Sequence, residues 1–346
     1  MQKLRLAFID HSFHKKSRSG DFLRRIFSDH FEITDYWDES WQGGATVPPE
    51  EINKHDYAFY FQVLNPFHEL ERIRVPMLWA PMYDGIKFNY FYWKAISQFD
   101  IKILSFSKKI TSWLTAFSNP VLPLQYYIPP TEIEQIQGNR VFFWYRGGIT
   151  FNDIKRLIDP RQIDRFTLFE NPDKEGQTFS ISKEDIEGYK IERVVESFLP
   201  KERYSKLVRD SNIFIAPRKK EGIGMSFIEA LAAGKCVIGY DDATLCEYVT
   251  HGIDGLLFTE NTPRLDLSKT DAIRHAAAER YSIGYDRWLL ERKAILPFLT
   301  APYRAQTSHF SRSLWVFLYR VSAFKRKVRY YIFVKVPGKA KTLKKP

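Results

Sequence analysis

The chain has 346 residues, a formal net charge of +11, 44% hydrophobic and 27% charged residues. These values exclude a disordered or low-complexity chain and give enough apolar residues for about two domains with cores of their own. Two cysteines, Cys236 and Cys246, exclude a disulfide framework and lack metal-ligand spacing, so a reducing compartment and no metal or cofactor are expected.

In chain order, short apolar runs alternate with helical patterns. The beginning, MQKLRLAFIDHSFHKK, lacks the pattern of a signal peptide because Asp10, His11 and His14 interrupt its apolar stretch. Strands are predicted at 4–10, 31–37, 57–64, 75–81 and 101–107, with helices between them such as SGDFLRRIFSDH and KFNYFYWKAISQF. The runs are continuously apolar rather than alternating, which suits parallel strands covered on both faces. The segment NPVLPLQYYIPP, 119–130, reads as a last strand followed by a proline-rich linker. The pattern then restarts, with strands predicted at 140–147, 164–171, 189–196, 211–217, 235–241 and 255–259 and helices such as KERYSKLVRD between them. The fold class is therefore α/β: two Rossmann-like, doubly wound parallel sheets facing a cleft. No apolar run approaches the roughly 18 residues of a membrane-spanning helix.

The stretch EGIGMSFIEALAAG, 221–234, carries the densest chemistry. A strand, a glycine turn and an alanine-rich helix follow one another. Gly222 and Gly224 permit positive φ and close approach of a ligand, and the amides of a helix's first turn favour an anion. Glu221 is placed to accept hydrogen bonds from sugar hydroxyls. Ser226 and Glu229 also form a capping-box pattern, a purely structural alternative. Thr244 and Glu247 repeat that pattern, for which a structural role is expected.

From Glu221 to Phe258 the chain resembles the donor-binding signature of GT-B glycosyltransferases, specifically the retaining family four, the glycosyl transferases group 1. The matching features are Glu221, the turn Gly222-Ile223-Gly224, Glu229, the helix end at Gly234, the strand CVIGYD, Glu247, and the closing Gly252-Ile253-Asp254-Gly255. The resemblance implies that Glu221 holds hydroxyls of a donor sugar. It implies that amides of Gly222, Ile223, Gly224, Met225 and Ser226 contact sugar and phosphate, and that Glu229 accepts from ribose hydroxyls. Arg146 matches the family's first diphosphate contact. Asn152 stands where a lysine is usual, and Lys219 or Lys220 is the candidate replacement, with a solvated loop charge as the alternative. Ile223 replaces the usual aromatic.

The resemblance implies that the first half, about 130 residues long, holds the acceptor. Gly20 opens a helix that is expected to face the transferred phosphate. Asp84 stands at a strand end where the family places an aspartate beside a histidine; here the neighbour is Tyr83. Asp84 is expected to polarise the acceptor hydroxyl, with turn formation before Gly85 as the alternative. His11 and His14 are loop histidines, acid–base groups or merely solvated.

The tail sets the charge. Residues 303–346 contain 12 Lys/Arg and no Asp/Glu, leaving 40 Lys/Arg against 41 Asp/Glu in residues 1–302. Phe310, Leu314, Phe317, Val321, Phe324, Val328 and Tyr331 recur on one helical face, with Arg312, Arg320, Lys325, Arg326, Lys327 and Arg329 around it. Such a helix suits an anionic membrane surface, the alternative being packing on the first half. No nucleic-acid motif accompanies the charge, so no nucleic acid is expected as a partner.

The expected organisation is an acceptor half over 1–130, a nucleotide-sugar half over 131–284, a closing helix over 285–302 and a membrane-association tail over 303–346. The expected function is transfer of a sugar, with retention, from a nucleotide-diphosphate donor to a lipid-linked or polysaccharide acceptor in surface polysaccharide synthesis. Its place would be the cytoplasmic face of the cell membrane. The alternatives are a sugar-nucleotide epimerase or phosphorylase on the same fold and a non-catalytic anion- or membrane-binding protein.

Overall fold

The structure is a computed structural model and describes residues 3–171, 180–196 and 199–334, with side chains at 201 and 329–334 outside the description. Two six-stranded sheets carry the fold. The first contains β1 (Leu4–His11), β2 (Phe31–Asp38), β3 (Tyr57–Phe61), β4 (Met77–Ala80), β5 (Ile101–Ser105) and β6 (Val121–Pro123). The second contains β7 (Arg140–Tyr145), β8 (Arg165–Glu170), β9 (Ile191–Val195), β10 (Ile213–Ile215), β11 (Cys236–Tyr240) and β12 (Leu256–Phe258). The strand orders are β2-β1-β3-β4-β5-β6 and β12-β11-β10-β7-β8-β9, with parallel pairing in both.

Central strands are buried along their whole length, as in Met77–Ala80 and Ile101–Ser105, because helices cover both faces. Strand ends differ from the sequence expectation where the backbone leaves the ladder. β3 stops at Phe61 because Gln62 adopts a left-handed conformation (φ 68°). β4 starts only after Pro76, which has no N–H to give.

Each sheet has one point where the winding reverses: between β1 and β3 in the first, between β7 and β10 in the second. Loops leaving the carboxyl ends of these strands form the natural ligand crevice of such sheets. Here the loop after β10 meets the loop after β4, one strand beyond the reversal of the first sheet.

A 22-residue helix, Thr270–Glu291, joins the halves. Its Tyr281 hydroxyl donates to the carbonyl of Ile128 in the linker, while Trp288 packs on Phe22 and Tyr126 of the first half. The helix Ile295–Thr300 follows. Buried Lys102 in β5 donates to the carbonyls of Phe298, Leu299 and Ala301, fixing the end of that helix on the first sheet.

The tail helix, His309–Val334, packs against the helix Tyr90–Ile96. Trp315, Val316 and Tyr319 join the core of the first half, Tyr319 lying 5.2 Å from the Tyr92 ring. The stripe expected from the sequence points the other way: Phe310 is 77% and Phe324 68% exposed. The helix thus has two apolar faces, and the sequence pattern marks only the outer one. Arg320, Lys325, Arg326 and Lys327 are exposed, while the side chains of Arg329 and Tyr331 lie outside the described residues. Among the described residues, no helix is long and apolar enough to cross a membrane.

Candidate functional site

β10 leads through Ala216 and Pro217 into the loop 218–223 and then into the helix Met225–Ala232. Gly224 makes the turn with φ 81°, a conformation that glycine adopts without strain. Gly224 is the N-cap, so Ser226 falls inside the first turn. The helix therefore has no side-chain cap, and the Ser226–Glu229 capping box does not form. The first-turn amides are left for a ligand or water. Glu229 is exposed in the following turn. Its charge adds to burial in raising the pKa of Tyr126, pushed up to about 12, and of Tyr204 and Tyr281.

Glu221 is 8% exposed and faces Arg218, with 3.6 Å between Oε2 and Nη1. Its carbonyl accepts a hydrogen bond from the Thr244 hydroxyl at 3.2 Å. Ile223 is buried beside it and Met225 is half-buried.

Two arginines stand at the winding reversal of this sheet. Arg146 leaves β7 and Arg218 follows β10, its neighbour. The loops touch: a Cβ at Gly148 would lie 2.9 Å from the Arg218 Cα. The Arg146 guanidinium sits 4.6 Å over the Trp144 ring. Lys219 turns away from these arginines, with its ammonium 3.1 Å from Glu260, 3.9 Å from Asp153 and 5.0 Å over the Tyr240 ring. Lys220 reaches toward the first half, 5.8 Å over the Tyr83 ring. Arg218 is invisible to sequence reasoning, because an arginine in a loop carries no periodicity or spacing that marks it.

The opposite wall is the loop after β4. A Cβ at Gly222 would come within 2.9 Å of the Met82 Cβ and 3.1 Å of Asp84 Oδ1, so the glycine turn and the Asp84 loop are in direct contact. Burial raises the Asp84 pKa, and the charges of Arg218 and His14, with backbone hydrogen bonds, offset part of that rise. Gly20 precedes the helix Asp21–Ser28, where a Cβ would lie 2.8 Å from Arg24 and 2.9 Å from Asp10. Its lack of a side chain serves packing over that ion pair.

Two polar bridges cross between the halves. The Tyr83 hydroxyl donates to Asp242 at 2.8 Å, and the Lys109 ammonium donates to both at 2.7 Å. Burial alone would raise the Asp242 pKa, but these two hydrogen bonds, with that from the Ala243 amide and the charge of Lys109, outweigh it and lower the value. Glu247 accepts from the Ser107 hydroxyl at 2.9 Å and from the Lys108 amide at 2.8 Å. The Thr244–Glu247 capping box is therefore absent too: Glu247 serves the helix Lys108–Leu114 of the other half.

With this geometry in view, the likeness to known proteins is consistent. Residues 175–269 match the family model described as glycosyl transferases group 1. The chain superposes on a glycosyltransferase from Rickettsia africae ESF-5 with a TM-score of 0.56 at 12% identity, covering 86% of this chain and 98% of that one. It superposes on Anabaena Alr3699/HepE in complex with UDP with a TM-score of 0.55 at 13% identity, covering 86% of this chain and 100% of that one. The UDP-glucose complex of HepE gives a TM-score of 0.54 at 13% identity, covering 86% and 99%. No curated protein sequence matches. The fold is GT-B, and the segment holding the glycine turn resembles that of the group 1 glycosyl transferases.

Proposed function

We propose that this protein, with its GT-B fold and group 1 segment, transfers a sugar from a nucleotide-diphosphate donor, with retention, to a lipid-linked or polysaccharide acceptor of the cell surface. One observation carries the reading. A nearly buried carboxylate, Glu221, and an arginine, Arg218, stand on a glycine turn that opens into a helix start without a side-chain cap, directly against Asp84 of the other half. Glu221 accepts from the donor sugar's hydroxyls, where a charged acceptor makes short, strong bonds. The helix start, Arg146 and Arg218 meet the diphosphate, with Lys220 as the further cation, and Glu229 meets the ribose. As the bond from the anomeric carbon to the diphosphate breaks, charge grows on the leaving oxygens. Fixed amides and guanidinium groups stabilise it without a metal, and the closed cleft aligns the acceptor. UDP and UDP-glucose bound by HepE, a protein of the same fold, make UDP-sugars the first donors to try.

The test is Glu221→Gln, which keeps the size of the side chain and removes its charge. Transfer or hydrolysis of the donor is expected to fall by about 100-fold, near 3 kcal/mol, with the melting temperature little changed. Wild-type turnover in a folded variant contradicts the assignment.

The acceptor side is read from the tail. The outer stripe of Phe310, Leu314, Phe317, Val321, Phe324 and Val328 is flanked by Arg320, Lys325 and Lys327, and the whole helix carries no acidic residue. Aromatic residues sinking into the headgroup boundary, with basic residues over anionic lipid, fit a peripheral position on the cytoplasmic membrane face.

A further inference from the structure

We propose that Phe88, Tyr90 and Phe91 form a second membrane contact, which seats the acceptor wall of the cleft on an anionic bilayer. This inference rests on the reading of the tail above and deepens it. The tail brings the protein to the membrane, and these three rings fix which part of the cleft faces it.

Phe88 is 41%, Tyr90 47% and Phe91 36% exposed. Single exposed apolar residues are ordinary at a surface, but a contiguous patch marks a contact site. This patch continues into the tail helix. The Tyr90 and Phe91 rings lie 6.3 and 6.4 Å from the ring of half-buried Trp315, whose neighbour Leu314 belongs to the outer stripe. Asn89 of the same segment stands 3.5 Å from the Ser322 hydroxyl of the tail helix. The rings are also held in place. Asn89 Oδ1 accepts from the Tyr92 amide and caps the helix Tyr90–Ile96, so Tyr90 and Phe91 stand on its first turn. Tyr90 lies 5.7 Å from the Phe117 ring and Phe88 5.6 Å from the Trp113 ring.

Charge selects what covers the patch. Between Gly85 and Thr131 the chain has five lysines and one acidic residue, Asp100, and Arg304 of the tail pairs with that acid at 2.5 Å. Lys87 is exposed, and the Lys94 ammonium lies 5.6 Å over the Tyr90 ring. The acid-free tail helix lies beside them. Exposed rings among cations match a layer of negative headgroups over apolar chains, which is an anionic bilayer.

Short distances connect the patch to the cleft. The Phe88 ring lies 5.9 Å from the Tyr83 ring. The Tyr83 hydroxyl donates to Asp242 at 2.8 Å, and the Lys220 ammonium sits 5.8 Å over the Tyr83 ring. Asp84 follows, with its Oδ1 3.1 Å from the place of a Cβ at Gly222. Only Gly85, Ile86 and Lys87 separate Asp84 from Phe88, a span of at most about 14 Å. With Phe88 at headgroup depth, a hydroxyl on a membrane lipid comes within reach of Asp84 without leaving the bilayer surface. That geometry favours a lipid-linked acceptor over a polysaccharide.

The test uses the full-length protein and vesicles of equal parts phosphatidylcholine and phosphatidylglycerol. Tyr90→Gln with Phe91→Gln removes two rings, leaves the net charge unchanged and keeps good helix formers in an exposed first turn. This variant is expected to sediment with the vesicles at least tenfold more weakly than wild type, with the melting temperature unchanged. Binding equal to wild type overturns the proposal. The stripe variant, Phe317→Glu with Phe324→Glu, keeps the two readings apart. If it loses binding and the glutamine variant does not, the tail reading stands and this one fails. If only the glutamine variant loses binding, it is the tail reading that fails. A second measurement places the segment directly. A nitrobenzoxadiazole label on Phe91→Cys, in protein carrying Cys246→Ser, is expected to shift its emission to the blue when the vesicles are added. An unshifted, water-like emission from protein that sediments with the vesicles overturns the proposal, as does wild-type protein that does not bind them.

Discussion

Gly222 shows how little room the site leaves at the scale of one atom. A methyl group there would press on the Met82 Cβ at 2.9 Å, and a Cβ cannot swing aside as a side-chain tip can. Gly222→Ala should therefore separate the Asp84 loop from the glycine turn by a few tenths of an ångström. Because alignment controls so much of the rate, kcat/KM should drop about tenfold or more with little change in melting temperature. Unchanged kinetics would show that the Asp84–Gly222 contact is incidental. Single residues are also where the sequence is least complete. Glu221, Gly222 and Gly224 are legible because order and spacing mark them. Arg218, Lys109 and Asp242 are not, since each is an ordinary loop or helix-start residue whose meaning comes from a partner distant in the chain or from the fold around it. The Ser226–Glu229 pair misleads in the other direction: the pattern of a cap is present, but the helix begins at Met225.

At the scale of elements, the strands follow from composition, because aliphatic and aromatic runs of five or six residues buried on both faces have few other uses. The tail helix is only half legible. Its outer stripe repeats at spacings of three and four, whereas the packed face mixes Trp315, Val316 and Tyr319 with serines and has no clean period. This changes the useful experiment. Deleting residues 303–346 would strip the cover from Tyr92 and Phe67 as well as the stripe, and would confuse binding with folding. Phe317→Glu with Phe324→Glu touches only the exposed stripe. In sedimentation with vesicles containing anionic lipid, this variant should bind at least tenfold more weakly while melting like wild type. Equal binding of the two proteins would leave the stripe without a role in membrane association.

The two halves, seen together, are joined by more than the linker and the long helix. Tyr83, Lys109 and Asp242 form one bridge, and Glu247 with Ser107 and Lys108 the other. Both tie loops of the first half to the segment that follows β11. The two-sheet layout can be read from the sequence, but not which surfaces meet, since the partners that cross in each bridge lie more than a hundred residues apart. The central claim is that a sugar joined to a nucleoside diphosphate binds on the glycine turn. Calorimetric titration of the wild-type protein and Glu229→Ala with UDP, GDP and ADP tests it directly. At least one of these nucleotides should bind the wild-type protein in the micromolar range, and the same one should lose about tenfold in affinity, near 1.4 kcal/mol, in the variant. Failure of all three to bind, or equal binding to both proteins, would contradict the claim.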